Sequence, residues 1–431
     1  MTTAVPRAAR RPRRPLALVA AAALVPVLLA ASGCAGSATA AGDREPLTVL
    51  TFAPWGTGSA DRPGMPQLAT AIGAEVNADG GIAGRRLKVL TCNEHNTADG
   101  ATACAKQAVA AGAIAVVGSY SQFGDAFMPV LENAGIPFIG GYGLSGPEFT
   151  SPLSYPVAGG TPALIAGSGR QLAAAGCRSV SLIRPDTPAG DTLVGSLVGA
   201  LSPAGVKLND VKAQESSSDF TAVAKAAIGS DAPGNCITAA LSSQPTLTLL
   251  DSLRRQPHKN TRLFSVIGSF QQSVVDSTGG DAGPLGGAFA VGWFPPEAST
   301  VWDQLRAIVR TRAAADASID DADPGVQTTW VAYQVLLAAI KRVPQGRAVD
   351  NHSLRDVLDS GTPIDTGGAT PPLAWGLSNM LASADTPRLV NTSVTFQQVQ
   401  GGRLVEQQPG FIDVRWVLTN GPAPTSTPIT G

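Results

Sequence analysis

Histidine is nearly missing from this chain. His95, His258 and His352 are the only three in 431 residues, and they lie far apart. No two cysteines stand at C-x-x-C spacing either, so a zinc or other metal centre is not expected. The sequence has no G-x-S-x-G elbow, no H-E-x-x-H pair and no P-loop, and no pair of carboxylates is singled out by spacing. An enzyme is therefore not expected, with an exported hydrolase left as the weaker alternative. Lys and Arg number 31 against 32 Asp and Glu, without a basic stripe, so nucleic acid is not an expected partner. After the first 33 residues no apolar run is long enough to cross a bilayer.

What is present begins at the N-terminus. Arg7, Arg10, Arg11, Arg13 and Arg14 precede the apolar run 16–31, and Ser32-Gly33-Cys34 follows. A positive start, a short apolar core and small residues before a cysteine resemble a bacterial lipoprotein signal. That resemblance implies cleavage before Cys34, lipid on its sulfur, and residence at the outer face of the cell membrane. Ala31 stands where such signals usually carry Leu. The alternative is an ordinary signal cut near Ala31-Ser32-Gly33, which leaves a secreted protein. Residues 34–46 are small and polar and read as a flexible tether; residues 419–431, rich in Pro, Thr and Gly, read as a loose tail.

Four cysteines remain. In an exported chain an even number points to disulfides, and four allow three pairings. Cys92–Cys104 and Cys177–Cys236 are the expected pairs, because each would tie neighbouring elements within one lobe.

Between tether and tail, strand and helix patterns alternate. Leu47–Phe52, Leu87–Thr91, Ile114–Val117 and Ile136–Ile139 read as strands. Pro66–Val76, Ala98–Ala111 and Gln122–Ala134 read as helices between them. The rhythm restarts at Thr161–Ala175 and Ser179–Ile183, with Asp219 as an expected N-cap for Phe220–Ile228. Helical patterns at Val301–Ala315 and Gln327–Lys341 and a hairpin around Gly401-Gly402 complete it. This β-α-β order predicts parallel sheets covered by helices on both faces.

The segment Ala74-Glu75-Val76-Asn77-Ala78-Asp79-Gly80-Gly81-Ile82-Ala83-Gly84-Arg85-Arg86-Leu87 resembles the A-E-x-N-A-x-G-G-I-x-G-x-x-L stretch of type I periplasmic binding proteins, the branched-chain amino acid and amide group that feeds ABC importers. Ala115–Ser119, Ala134–Ile139, Tyr333–Ile340 and Val399–Val405 resemble later pieces of the same family in the expected order. The resemblance implies an α/β fold of two doubly wound parallel-sheet lobes, joined by three crossovers, with a hinge and an interlobe cleft. Residues 47–157 and 298–385 would form lobe 1, and 158–297 and 386–418 lobe 2. It also implies a solute-binding lipoprotein without a cofactor, delivering a small polar ligand (an amino acid, an amide or a related compound) to an ABC permease. A lipoprotein that signals ligand binding to a membrane partner is the alternative.

Ligands in open α/β sheets bind beyond the carboxyl ends of the strands. In lobe 1 that rule selects Trp55, then Ser119, Tyr120 and Ser121, then Gly141 and Tyr142. In lobe 2 it selects Asp186, Ser242 and Ser269, with Trp293 and Phe294 either lining the cleft or packing the hinge. Residues 141–146 also fit G-x-G-x-x-G, but with Pro147 and Pro152 close behind they are not expected to open the helix that dinucleotide binding needs.

Overall fold

The computed structural model describes residues 45–57, 60–214, 216–241, 243–265, 270–313 and 318–422. Cys34, Ser242 and Ser269 lie outside them, as do the signal segment and residues 423–431.

Two sheets organise the chain. The first has β1 (Leu47–Ala53), β2 (Leu87–Asn93), β3 (Ala115–Val117), β4 (Phe138–Ile139) and β5 (Ser154–Tyr155) in the order β2-β1-β3-β4-β5. All its pairings are parallel. β1 and β3 are buried at every position, as interior strands covered on both faces must be, whereas the edge strand β2 is mostly part-exposed. The second sheet contains β6 (Ser179–Pro185), β7 (Lys207–Ala213), β8 (Asn235–Ala239), β9 (Arg262–Ser265), β10 (Phe289–Gly292), β11 (Ser393–Gln400), β12 (Arg403–Glu406) and β13 (Ile412–Asp413). Its order is β12-β11-β10-β9-β8-β6-β7, with β13 beside β11. β6 to β10 run parallel, and β11 returns antiparallel to β10.

The chain passes between the lobes three times. It leaves the first sheet after β5, and the helix Gly160–Ala174 packs on β10 and β11. It returns after β10, since the helices Asp303–Arg312 and Pro324–Arg342 pack on Gly64–Ala78 of the first lobe. It crosses again before β11. The first two crossings are fastened by side chains that donate to their backbone. Trp375 Nε1 donates to Pro156 O (3.2 Å) and Asn391 Nδ2 to Val157 O (3.0 Å). Trp302 Nε1 donates to Pro295 O and Pro296 O, both at 3.2 Å.

Local chemistry explains the elements. Asn77, in the last turn of the first helix, exchanges two 2.8 Å hydrogen bonds with the backbone of Leu87, which fixes the start of β2. Both expected disulfides are formed. Cys92–Cys104 joins β2 to the helix Ala98–Ala110, and Cys177–Cys236 joins the segment before β6 to β8.

Some expectations need correction. Asp219 is not the cap of its helix: Phe220 precedes Thr221–Ile228, and Asp219 Oδ1 instead accepts from Thr221 N and Thr221 Oγ1. A helix does open after the glycine motif, at Gly146–Thr150, with Ser145 and Glu148 forming a capping box. The start of the tail is held as well, because the amides of Thr419, Asn420 and Gly421 donate to Arg415, Val417 and Trp416. At the other end Arg85 donates to the carbonyls of Glu45 and Pro46.

Candidate functional site

The carboxyl ends of β1, β3 and β4 converge where the helix Pro324–Arg342 crosses them. Contact is close enough to demand glycine. A Cβ on Gly118 would stand 2.8 Å from Thr329 Cα, and one on Gly140 2.3 Å from Ala332 Cβ. Both glycines also have positive φ, which residues with a Cβ rarely adopt. Thr329 Oγ1 donates to Gly118 O at 2.8 Å and locks the turn.

Two of the sequence-selected residues, Ser119 and Ser121, are spent on holding these loops. Ser119 is fully buried, and its Oγ accepts from Phe52 N at 3.0 Å. Ser121 Oγ donates to Glu94 Oε2 (3.1 Å) and accepts from Phe123 N (3.0 Å). Burial raises the Glu94 pKa, and the bonds from Ser121 and Asn96 oppose that rise. Trp55 is part-buried, and its backbone is clamped on both sides by the side chain of Asn93.

Residues Gly141–Gly146 are shaped by an anion of the chain's own. Glu148, 2 % exposed, accepts from the amides of Gly143, Leu144 and Ser145 and from Ser145 Oγ, all at 2.9–3.0 Å. Those amides would otherwise be free to cradle a phosphate; here the carboxylate fills the place. Gly141 itself packs against that carboxylate and the Phe138 ring, within 2.2–2.3 Å of where a Cβ would lie.

Tyr120 and Tyr142 turn toward each other, ring centroids 5.0 Å apart and edge to face. Tyr142 also meets the edge of Trp293, from the end of β10 in the second lobe, at 4.8 Å. Trp293 Nε1 donates to Gly160 O (2.9 Å), and Thr161 N donates to Gly143 O (3.0 Å), so lobe contact is polar as well as aromatic. Trp293 thus sits at the interlobe junction.

Sequence reading missed Arg62. It ends the loop after β1, where its amide donates to Pro54 O. Its guanidinium carbon lies 5.5 Å from the Tyr120 ring centroid and 5.7 Å from that of Tyr142. Nη1 donates to Asp61 O, while Nε is buried without a hydrogen-bond partner. Among the described residues no carboxylate forms an ion pair with Arg62. Burial disfavours its charge, but Tyr142, Asp323 and Tyr120 more than offset that, and its pKa is raised. Burial pushes both tyrosines up, with Arg62 acting against that rise. The one available signal was position: a cation at the end of a loop that the strand-end rule already selects.

In the second lobe Asp186 is exposed at the end of β6 and paired with Lys212 at 2.9 Å. Beside Trp293, a cavity of about 50 Å³ lies among Phe270, Trp293 and Pro295 of the second lobe and Ala322, Pro324 and Gln327 of the first. Sites for organic ligands usually offer ~300 Å³ or more, so entry of such a ligand there requires the lobes to part. Among the described residues no three His, Cys, Asp or Glu group into a metal site, and no helix is long and apolar enough to cross a membrane.

Comparison with known proteins follows from this architecture. A family model described as periplasmic binding protein matches residues 56–403. No curated protein sequence matches. Solved structures do: a branched-chain amino acid ABC transporter protein from Thermus thermophilus with bound valine is 13 % identical, with a TM-score of 0.71 over 88 % of this chain and all of that one. A fatty acid ABC transporter substrate-binding protein from Thermomonospora curvata is 13 % identical, with a TM-score of 0.68 over 86 % of this chain and 94 % of that one. An extracellular ligand-binding receptor from Verminephrobacter eiseniae is 18 % identical, with a TM-score of 0.66 over 84 % of this chain and 99 % of that one.

Proposed function

The chain belongs to the periplasmic binding protein family, and from that premise we propose that it captures a small polar solute between its lobes and hands it to an ABC-type importer. Family membership places its work outside the cytoplasm. In this reading the signal segment leaves Cys34 as a lipidated N-terminus, and the tether lets the lobes reach a permease.

The observation that carries the reading is the junction itself. Two separate sheets, joined by three crossovers of which two are fastened, present Tyr142 and Trp293 to each other across the cleft. A guest bridging two lobes stabilises the closed arrangement by contacts that an open one lacks. Binding and release complete the task, and no bond of the solute changes. Amino acids, amides and related carboxylic acids are the expected solutes; the neighbours whose names mention valine and fatty acids span that range.

A thermal-shift screen of amino acids, amides, urea-like compounds and carboxylic acids tests this. A guest at 100 times its Kd stabilises by about 2.7 kcal/mol, an upward shift in Tm of several degrees. Absence of any stabiliser across all these classes overturns the reading. Growth of the encoding strain on the solute, lost on deletion and restored by the lipidated but not the Cys34→Ala form, tests anchor and transport together.

A further inference from the structure

Arg62 has three features that the fold alone does not require. Its Nε is buried and bonded to nothing. Its guanidinium faces two tyrosine rings rather than a carboxylate. It also sits at the strand ends of the first lobe, in the aromatic cluster that Trp293 of the second lobe completes. An unpaired buried donor is costly. Arginine left in this condition is set up to receive an acceptor from outside. Its fork of N–H groups matches a carboxylate, and aromatic faces around it tolerate an apolar body beside the charge.

We propose that Arg62 is the specificity-determining residue of the cleft, and that the guest is an organic monoanion whose carboxylate is held by its guanidinium between Tyr120, Tyr142 and Trp293. This rests on the solute-binding reading above and narrows its ligand. Two other groups argue for an anion. The hydroxyls of Ser119 and Ser121 are committed to Phe52 N and Glu94, and the amides of Gly143, Leu144 and Ser145 to Glu148. The cation is therefore the group left to meet the guest's charge on this wall. Asp323, the carboxylate that acts on Arg62 from the facing helix, spends Oδ1 on Gly325 N and Val326 N. It steadies the cation without pairing with it. A zwitterionic amino acid would bring its ammonium group up against this cation, which disfavours it relative to a plain acid.

Calorimetric titration of the full mature chain decides the matter, with phenylacetate and hexanoate, their primary amides, and phenylalanine and norleucine as probes. The acids bind; the amides and amino acids bind about 10- to 100-fold more weakly. Arg62→Gln lowers acid affinity by the same factor and amide affinity by less, so that the preference for the acid collapses, while Arg62→Lys recovers only part of the loss because it lacks the fork. Circular dichroism and the Tm of each variant confirm folding. Should Arg62→Gln prove unfolded, Tyr142→Phe with Tyr120→Phe keeps the cation and must keep the acid preference. Acids and amides binding alike, amino acids binding best, or a folded Arg62→Gln that retains acid affinity overturns the assignment yet leaves a solute-binding protein. If no probe of any charge binds and the wider screen finds no stabiliser, the solute-binding reading falls, and this assignment with it.

Discussion

Single residues here do work that their neighbours in sequence do not advertise. Glu148 reads as an ordinary surface carboxylate in Gly-Pro-Glu-Phe-Thr, yet it is buried and organises the loop before it. Arg62, in Ala-Asp-Arg-Pro, has no pattern that separates a cation turned inward from one in water. Strand-end logic selects Tyr120 and Tyr142 by position alone; it does not tell which hydroxyls the fold consumes. Ser119 and Ser121 were selected for the same reason as the tyrosines and differ only in having backbone partners within reach. Glu148 also gives a pH prediction. Burial raises its pKa above the ordinary 4.5, more than its four donors lower it. A carboxyl raised on folding stabilises most when protonated, below 4.5, and loses that contribution as pH climbs through the folded value. The stability advantage of the native chain over Glu148→Gln should therefore shrink between pH 4.5 and 8 in urea titrations; a flat or widening gap contradicts the assignment. Glu148→Ala, which strands three amides, should cost about 3 kcal/mol at pH 7.

Elements were the most legible scale. A strand buried on both faces shows as a continuous apolar run, so β3 stands out, and an alanine-rich run ended by glycine marks the helix before it. Two-residue strands such as β5 and β13 carry too few residues for any periodicity, and the helix Asn351–Asp359, with Leu354 and Leu358 as its buried apolar residues among polar ones, offers too short a pattern to read. Both disulfides join elements that neighbour each other within one lobe, and that adjacency, not spacing, selects them from the three possible pairings. Their worth follows from the loops they close. With sequence separations of 12 and 59, loop-closure entropy gives about 3 kcal/mol for Cys92–Cys104 and about 4 kcal/mol for Cys177–Cys236. Paired Cys→Ala variants should lose stability in that order under urea. Equal losses, or a larger one for the shorter loop, would mean that packing of β2 on its helix outweighs chain entropy. Asp231 works at this scale too. It accepts from the amides of Lys259, Asn260 and Thr261 and from Thr261 Oγ1, tying the turn before β8 to the turn before β9, and its pKa is lowered to about 2. A lowered carboxyl contributes above the ordinary 3.8 and loses that contribution as pH falls toward 2. Asp231→Asn should flatten that part of the acid limb, read by circular dichroism between pH 4 and 2.

At the scale of the whole molecule, the fastened crossovers restrict where motion can occur. Trp375 and Asn391 grip the first crossing at Pro156 and Val157, and Trp302 grips the second at Pro295 and Pro296. On the first crossing Gly159 and Gly160 follow the grip directly. The aromatic contact of Tyr142 with Trp293 lies just past that point and reports whether the lobes are together. A double-mutant cycle measures it. Tyr142→Leu and Trp293→Leu should be non-additive in unfolding free energy by about 1 kcal/mol, the worth of an edge-to-face pair beyond its buried area. Trp293 also donates to Gly160 O, and that bond is lost in both arms that carry the variant, so it cancels from the coupling. Coupling near zero without guest that reaches about 1 kcal/mol with a saturating one means the lobes part in solution and the guest draws them together. Full coupling in both conditions means the junction stays shut and a guest must enter through local movement of Arg62. No coupling in either condition contradicts the contact itself, and with it the interlobe junction on which the proposed site is built.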